Sequence, residues 1–281
     1  MVQTLSAIMT TLAVLTFPNI DPVIFSIGPF AVRWYALAYI VGLIFGVWYM
    51  KYLVSKPALW GGTTPSATPQ QIDDMFLWAM AGVVLGGRIG YLLFYGWVQV
   101  LDDPLYIFRV WEGGMSFHGG FFGVIIASYI YGRRNGIRLD RLLDLGAAAT
   151  PVGLGLGRLA NFINGELYGR ETDMPWAFVF PNDLTGLPRH PSQLYEFALE
   201  GVLLFAVINY RVYRFKILTK PGRAAGLYAL IYGCSRIAVE FVREPDAQLG
   251  FFGGFITMGM ILSLPLLAIG IWLLLRSRTS Q

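Results

Sequence analysis

Hydrophobic positions in this chain gather into runs of about 20 residues split by short polar loops, the length a helix needs to cross roughly 30 Å of hydrocarbon. Such runs fall near residues 31–53, 73–98, 116–133, 140–160, 192–213, 225–243 and 254–275. They predict an all-α, polytopic membrane helical bundle of about seven transmembrane helices, a single integral-membrane domain over residues 1–281. The fourth run contains Pro151 followed by Gly153, Gly155 and Gly157, so its helix is expected to be bent or broken. Residues 1–20 begin with an uncharged stretch to Phe17 and lack the positive n-region and clear small-residue cleavage site of a secretory signal, so they are expected to lie at the interface. Residues 170–190 are expected to form an outer loop region.

Composition supports that reading: 56% of residues are hydrophobic and 14% charged, against roughly 45–50% and about 25% for soluble domains. The net charge of +4 does not imply nucleic acid, because the basic residues are scattered among short loops between apolar spans. One cysteine, Cys234, excludes an intrachain disulfide, and two histidines, His118 and His190, make no cluster of soft ligands. A mechanism without metal or cofactor is expected.

The loops alternate in charge. Lys51 and Lys56, then Arg133, Arg134, Arg138 and Arg141, then Arg211, Arg214, Lys216, Lys220 and Arg223, and finally Arg276 and Arg278 all fall on one side. The opposite loops mix Arg109, Arg170, Arg189 and Arg243 with Asp102, Asp103, Glu112, Glu171, Asp173, Asp183, Glu244 and Asp246. Positive charge is retained in the cytoplasm, so the N-terminus is expected outside and the C-terminus inside.

Arg33, Arg88, Arg158 and Arg236 remain within or at the edges of spans. A charge at the bilayer centre costs roughly 3 kcal/mol on insertion scales, so each needs a partner, an aqueous path or a function. Arg33 either snorkels to the headgroups or is paired. Arg88 lies among Gly82, Gly86 and Gly90, a small-residue face suited to close helix packing; it has two readings, a structural pairing or a substrate contact. Near the start of the third run, Ser116 is a suitable N-cap for a helix whose first turn would present His118 and Gly119. His118 is either structural or a proton acceptor near neutral pH.

The richest polar stretch runs from Gly157 to Arg170. Arg158 and Asn161 share a helical face, Asn164-Gly165 is a turn signal, and Glu166 and Arg170 follow in irregular backbone. Such backbone at membrane depth is tolerated only where protein buries it or it lines a wet cavity. Arg236 and Glu240 are one turn apart in the sixth run, as an internal ion pair or, with Arg158, as part of an anion clamp. A phosphate-bearing lipid is the natural ligand of that clamp. Cys234 reads as a small buried packing residue rather than a nucleophile, and the segment from Arg189 to Glu196, with His190, reads mainly as helix entry, with lining of the site as its second reading.

Six ordered motifs resemble the prolipoprotein diacylglyceryl transferase family: Asp21 to Pro29, Gly86 to Tyr91, Ser116 to Gly120, Gly157 to Arg170, Arg189 to Glu196, and Tyr232 to Asp246. Ala160 stands where the signature commonly has glycine, and the outer loop between Tyr168 and His190 is short. The resemblance implies an inner-membrane enzyme with its site toward the periplasm. Its substrates would be phosphatidylglycerol and the lipobox cysteine of a prolipoprotein signal peptide; its products, a thioether and glycerol 1-phosphate. It also implies roles: Arg158 and Arg236 hold the donor phosphate, and His118 is the candidate base for the thiol. Tyr35, Gly119, Asn161, Glu166, Gly169 and Glu240 shape the substrate site. A transporter of anionic molecules is the rival reading; against it, the hydropathy profile shows no paired halves.

Overall fold

The computed structural model describes residues 14–18, 20–28, 30–245 and 251–279. Most of the interfacial segment expected over 1–20, together with Pro29 and Asp246 of the motifs, lies outside the described residues.

Helix occupies each of the seven apolar runs. The first is α1 (Trp34–Val54), followed by α2 (Pro69–Phe94), a short α3 (Trp97–Asp102), α4 (Phe117–Asn135) and α5 (Leu139–Ile163). The fifth run is a composite rod of α6 (Ser192–Glu196), a π-helical stretch (Phe197–Leu203) and α7 (Leu204–Phe215). It is followed by α8 (Arg223–Glu240) and α9 (Met258–Thr279). Among the described residues, three helices are long and apolar enough to cross a membrane by length and composition: α1, α2 and residues Met258–Ser277 of α9.

Local chemistry sets the ends. Thr68 and Gln71 form a reciprocal capping box at the start of α2, with Pro69 in its first turn. Ser116 Oγ accepts the Gly119 amide at the start of α4, and Gly136, at φ +69°, ends that helix. Asp144 on α5 accepts the amides of Gly222 (2.7 Å) and Ala225 (2.9 Å), supplying from another helix the cap that α8 lacks in its own sequence.

Of the two outcomes expected at Pro151, a bend or a break, the break is not found: α5 is continuous through it to Ile163. The physical reason is support on two sides. A Cβ on Gly42 of α1 would lie 2.8 Å from the Cα of Gly153, and one on Gly201 would lie 2.8 Å from the Cα of Gly155. Such close backbone approach restores by packing what the proline removes from the helix ladder. The irregularity moves to the neighbour, where the backbone opens into the π-helical stretch beside Gly155. The Gly82, Gly86 and Gly90 face packs against Gly119 and Gly123 of α4, as the small-residue pattern predicts.

The apolar core gathers at the end of the bundle that carries the basic loops. There Tyr49, Leu53, Trp60, Ile72, Leu145, Ile208, Val212 and Leu218 are buried together. The opposite end holds a β-hairpin of β2 (Val23–Ile27) and β3 (Phe30–Arg33) and a small sheet in which β4 (Ala177–Val179) lies between β1 (Val14–Leu15) and β5 (Pro188–Arg189). This sheet roofs the end of α5 through a cluster of Phe17, Phe162, Phe178 and Phe180.

Candidate functional site

Beneath this roof, α5, the composite rod and α8 bring together three arginines and three glutamates. Arg158 Nε lies 3.3 Å from Glu196 Oε2, and its Nη2 lies 3.2 Å from Glu200 Oε2. Arg236 Nη1 donates to Glu196 Oε1 at 2.7 Å, and its Nη2 meets Glu240 Oε1 one turn along α8. Arg243 Nη1 donates to Glu196 Oε1 at 3.1 Å and its Nε lies 4.0 Å from Glu240 Oε1. Thr257 Oγ1 donates to Glu240 Oε2 at 2.6 Å. Glu196 and Glu200 are fully buried, while the Arg158 and Arg236 side chains keep 19% and 16% of their surface. Buried acids thus hold the guanidinium groups from behind and leave part of each accessible.

The turn after α5 supplies the next layer. Glu166 Oε1 accepts from Asn161 Nδ2 at 2.8 Å and Asn164 Nδ2 at 3.2 Å. Its own carbonyl accepts from Gln193 Nε2 at 2.6 Å, and Ser192 Oγ donates to the carbonyl of Leu167. Leu167 occupies left-handed backbone at φ +58°, uncommon for a branched side chain and held here by these bonds on both sides. Gly169 then runs between two strands of backbone: its amide donates to the carbonyl of His190, and a Cβ would lie 2.7 Å from the Cβ of His190 while also striking the carbonyl of Val242. Arg170 donates to the carbonyls of Glu240 and Arg243, tying this turn to the end of α8. Gly169 is therefore required by close approach of neighbouring chain.

Tyr35, in the first turn of α1, shares a 3.1 Å hydroxyl contact with Tyr39 and lies near enough to Glu166 and Arg158 to feel both charges. His118 is exposed at the start of α4; its ring meets Phe117 edge-on, and among the described residues no hydrogen bond or ion pair joins it to the arginine cluster. Gly119 faces α2, where its Cα lies 2.7 Å from a Cβ built on Gly90, so helix packing accounts for this position. Arg88 resolves toward its structural reading: 4% exposed, it donates to the carbonyls of Tyr106, Ile107, Gly113 and Gly114. It thereby pins the loop that leads into Ser116 and His118. Arg33 is exposed where β3 passes into α1, and Cys234 is exposed on α8 rather than buried as expected, because its side of the helix is left uncovered by the other described residues.

Outside the helices, Asp183 and Arg189 brace the roof. Burial disfavours the Asp183 carboxylate, but hydrogen bonds from Arg189 and Thr185 outweigh it and hold its pKa below the usual range. His190 Nδ1 lies 3.0 Å from Tyr195 Oη, which accepts from Trp176 Nε1, and burial lowers the pKa of this histidine.

Glu196, Glu200 and Arg243 are the members of the cluster that sequence reasoning does not select: Glu196 falls in a helix-entry motif, Arg243 among the outer-loop charges, and Glu200 in no motif. The signal of the two glutamates is a pair of acids at four-residue spacing inside an apolar run, a pattern that membrane burial makes costly unless cations face it.

The family model for prolipoprotein diacylglyceryl transferase matches residues 22–276. The chain is 54% identical over 279 residues to the phosphatidylglycerol–prolipoprotein diacylglyceryl transferase of Sinorhizobium medicae, covering 98% of this chain and 99% of that one. It is 54% identical over 264 residues to the enzyme of that name from Brucella anthropi (94% of each chain) and 53% identical over 268 residues to that from Bradyrhizobium diazoefficiens (95% of this chain, 94% of that one). With the full span of the match and the ordered motifs in agreement, this chain belongs to the prolipoprotein diacylglyceryl transferase family.

Proposed function

We propose that this chain transfers the diacylglyceryl group of phosphatidylglycerol to the lipobox cysteine of prolipoproteins, with Arg158 and Arg236 holding the donor phosphate. Family membership supports the reaction, and the observation that carries the site is the pair of partly accessible guanidinium groups backed by buried Glu196, Glu200 and Glu240. In the reaction a sulfur–carbon bond forms as the adjoining carbon–oxygen bond breaks, and the bonding pair leaves on the phosphate as glycerol 1-phosphate. Charge therefore grows on phosphate oxygens, and donors fixed beforehand in a low-dielectric setting stabilise that state most. Asn161 fixes the Glu166 carboxylate, and both, with Tyr35, Gly169 and Glu240, shape the headgroup site. Gly119 lets the His118 turn come close to α2.

His118 takes the thiol proton in this reading, its exposure supporting access for a peptide cysteine. A free thiol of pKa about 8.5 needs only a modest base. The alternation of charged loops supports about seven spans, the N-terminus in the periplasm, the C-terminus in the cytoplasm and the site toward the periplasmic side of the inner membrane. Donor and signal peptide enter from the bilayer. The test is thioether formation by purified protein from phosphatidylglycerol and a lipobox peptide. Product is expected from the unaltered chain and lost in Arg158→Ala and Arg236→Ala. Product formation unchanged in both variants overturns the site, and absence of product from active membranes overturns the reaction.

A further inference from the structure

The clamp is neutral before any lipid arrives. Its ion pairs link three cations, Arg158, Arg236 and Arg243, with three carboxylates, Glu196, Glu200 and Glu240. A phosphodiester brings one more negative charge into the same poorly solvated space. Leaving that charge uncompensated is costly, because a buried ion without its counter-charge loses solvation that nothing replaces. The least expensive remedy is to neutralise the carboxylate with the least cationic support.

The three acids differ in that respect. Glu196 faces all three arginines, and Glu240 faces two of them and the Thr257 hydroxyl. Among the described residues Glu200 pairs only with Arg158, through Oε2, and its buried Oε1 has no hydrogen-bond partner. The charged and titratable groups facing it are Arg158 from α5, Tyr228, Tyr232 and Arg236 from α8, and Glu196 on its own rod. A proton on Oε1 would break no existing bond, and it would release Arg158 from half of its anionic partners toward an incoming phosphate. The π-helical backbone and the Gly155–Gly201 contact hold Glu200 at this position.

We infer that binding of the anionic headgroup is coupled to uptake of one proton by Glu200, which acts through Arg158 as a charge-balancing, positioning residue. The inference rests on the reading of Arg158 and Arg236 as the phosphate site.

The experiment is calorimetric titration of the purified full chain in detergent with dihexanoyl-phosphatidylglycerol at pH 7, in buffers of different ionisation enthalpy. The slope of observed heat against buffer enthalpy counts protons; about one taken up per lipid is expected from linkage, with affinity weakening about tenfold for each pH unit in the range where Glu200 is ionised in the free protein. Glu200→Gln is expected to bind with uptake near zero and a flat pH dependence, and Glu200→Asp to restore uptake. Binding without uptake by the unaltered chain overturns the inference whatever the variants do, and undiminished uptake in Glu200→Gln overturns the assignment to Glu200. Failure of the underlying reading looks different: Arg158→Ala and Arg236→Ala would bind the lipid as tightly as the unaltered chain.

Discussion

At the basic-loop end of the bundle, α1, α5 and α7 meet through Leu53, Leu145, Ile208 and Val212, all at zero exposure, and a buried acid of α5, Asp144, is spent on the backbone of α8. At the other end, α5, α8 and the rod beginning with α6 present six charged side chains to one another. The first arrangement rests mainly on shape, with close-packed apolar side chains and a satisfied cap; its buried polar remainder is neutral, the Tyr131 hydroxyl having no hydrogen-bond partner among the described residues. The second has charged demand left over: two guanidinium groups retain access, and among the described residues Glu200 Oε1 has no hydrogen-bond partner. The same helices thus hold a settled core at one end and an unsaturated polar site at the other. At the site end, the Gly155–Gly201 contact lies one turn from Arg158 on α5 and fixes that helix against the rod that carries Glu200.

Breaking the site end should have the largest effect, and on activity. Arg158→Ala is expected to lower the rate of thioether formation by roughly 10²–10³-fold, the scale of losing one fixed donor to a developing anion. Arg158→Lys should recover only a fraction of that rate, because an ammonium cannot reproduce the planar fork that spans Glu196 and Glu200. If the lysine variant is as active as the unaltered chain, the fork geometry is irrelevant.

Breaking the basic-loop end should act on stability instead. Asp144→Ala leaves the Gly222 and Ala225 amides without their acceptor, at a cost of about 1–3 kcal/mol. A lowered thermal midpoint in detergent is expected, with the rate per folded molecule unchanged; a rate that falls in proportion to Arg158→Ala would erase the distinction between the ends.

The α2–α4 seam lies between these cases. A Cβ at Gly86 would lie 2.7 Å from the Cα of Gly123, so Gly86→Ala is expected to destabilise by about 1–3 kcal/mol through overpacking. Because Gly119 shares this seam, the His118 turn should shift too, and peptide KM should rise more than lipid KM. Equal changes in both would separate His118 from the peptide.

The smallest effect concerns the roof. Burial lowers the folded pKa of His190, so its contribution to stability is present above the unfolded value of about 6.5 and is lost as pH falls through the folded value. Asp183 behaves with the same sign at lower pH: its contribution is present above about 3.9 and is lost as pH falls through its depressed folded value. Thermal midpoints measured downward from pH 7 should show a decline beginning near 6.5 that His190→Gln flattens. An identical decline in that variant would assign it to other groups.

Much of this was legible in one dimension. Apolar runs of membrane-spanning length locate each long helix within a few residues, because a span in lipid must satisfy its own backbone and so writes its length into hydropathy. Arg158 and Arg236 stand out for the same reason: a charge in an apolar run is conspicuous. Pro151 could not settle between a bend and a break, since a proline's local cost says nothing of Gly42 and Gly201 packing on either side of its helix. Glu196 and Glu200 escaped because a helix-entry motif accounted for the first of them locally, while the cations that make both tolerable come from α5 and from α8 with the residue just beyond it.

The chain's pattern alone therefore determined that this is a helical membrane protein, where its helices lie and which family it belongs to, because those properties follow from local composition and residue order. Only the tertiary structure decided which acid faces which arginine, which glycines serve packing, and which buried carboxylate oxygens of the described residues have no hydrogen-bond partner. Those depend on the approach and rotation of helices far apart in sequence, and Coulomb energy at a few ångströms in a low dielectric is too steep a function of distance to be read from spacing along the chain.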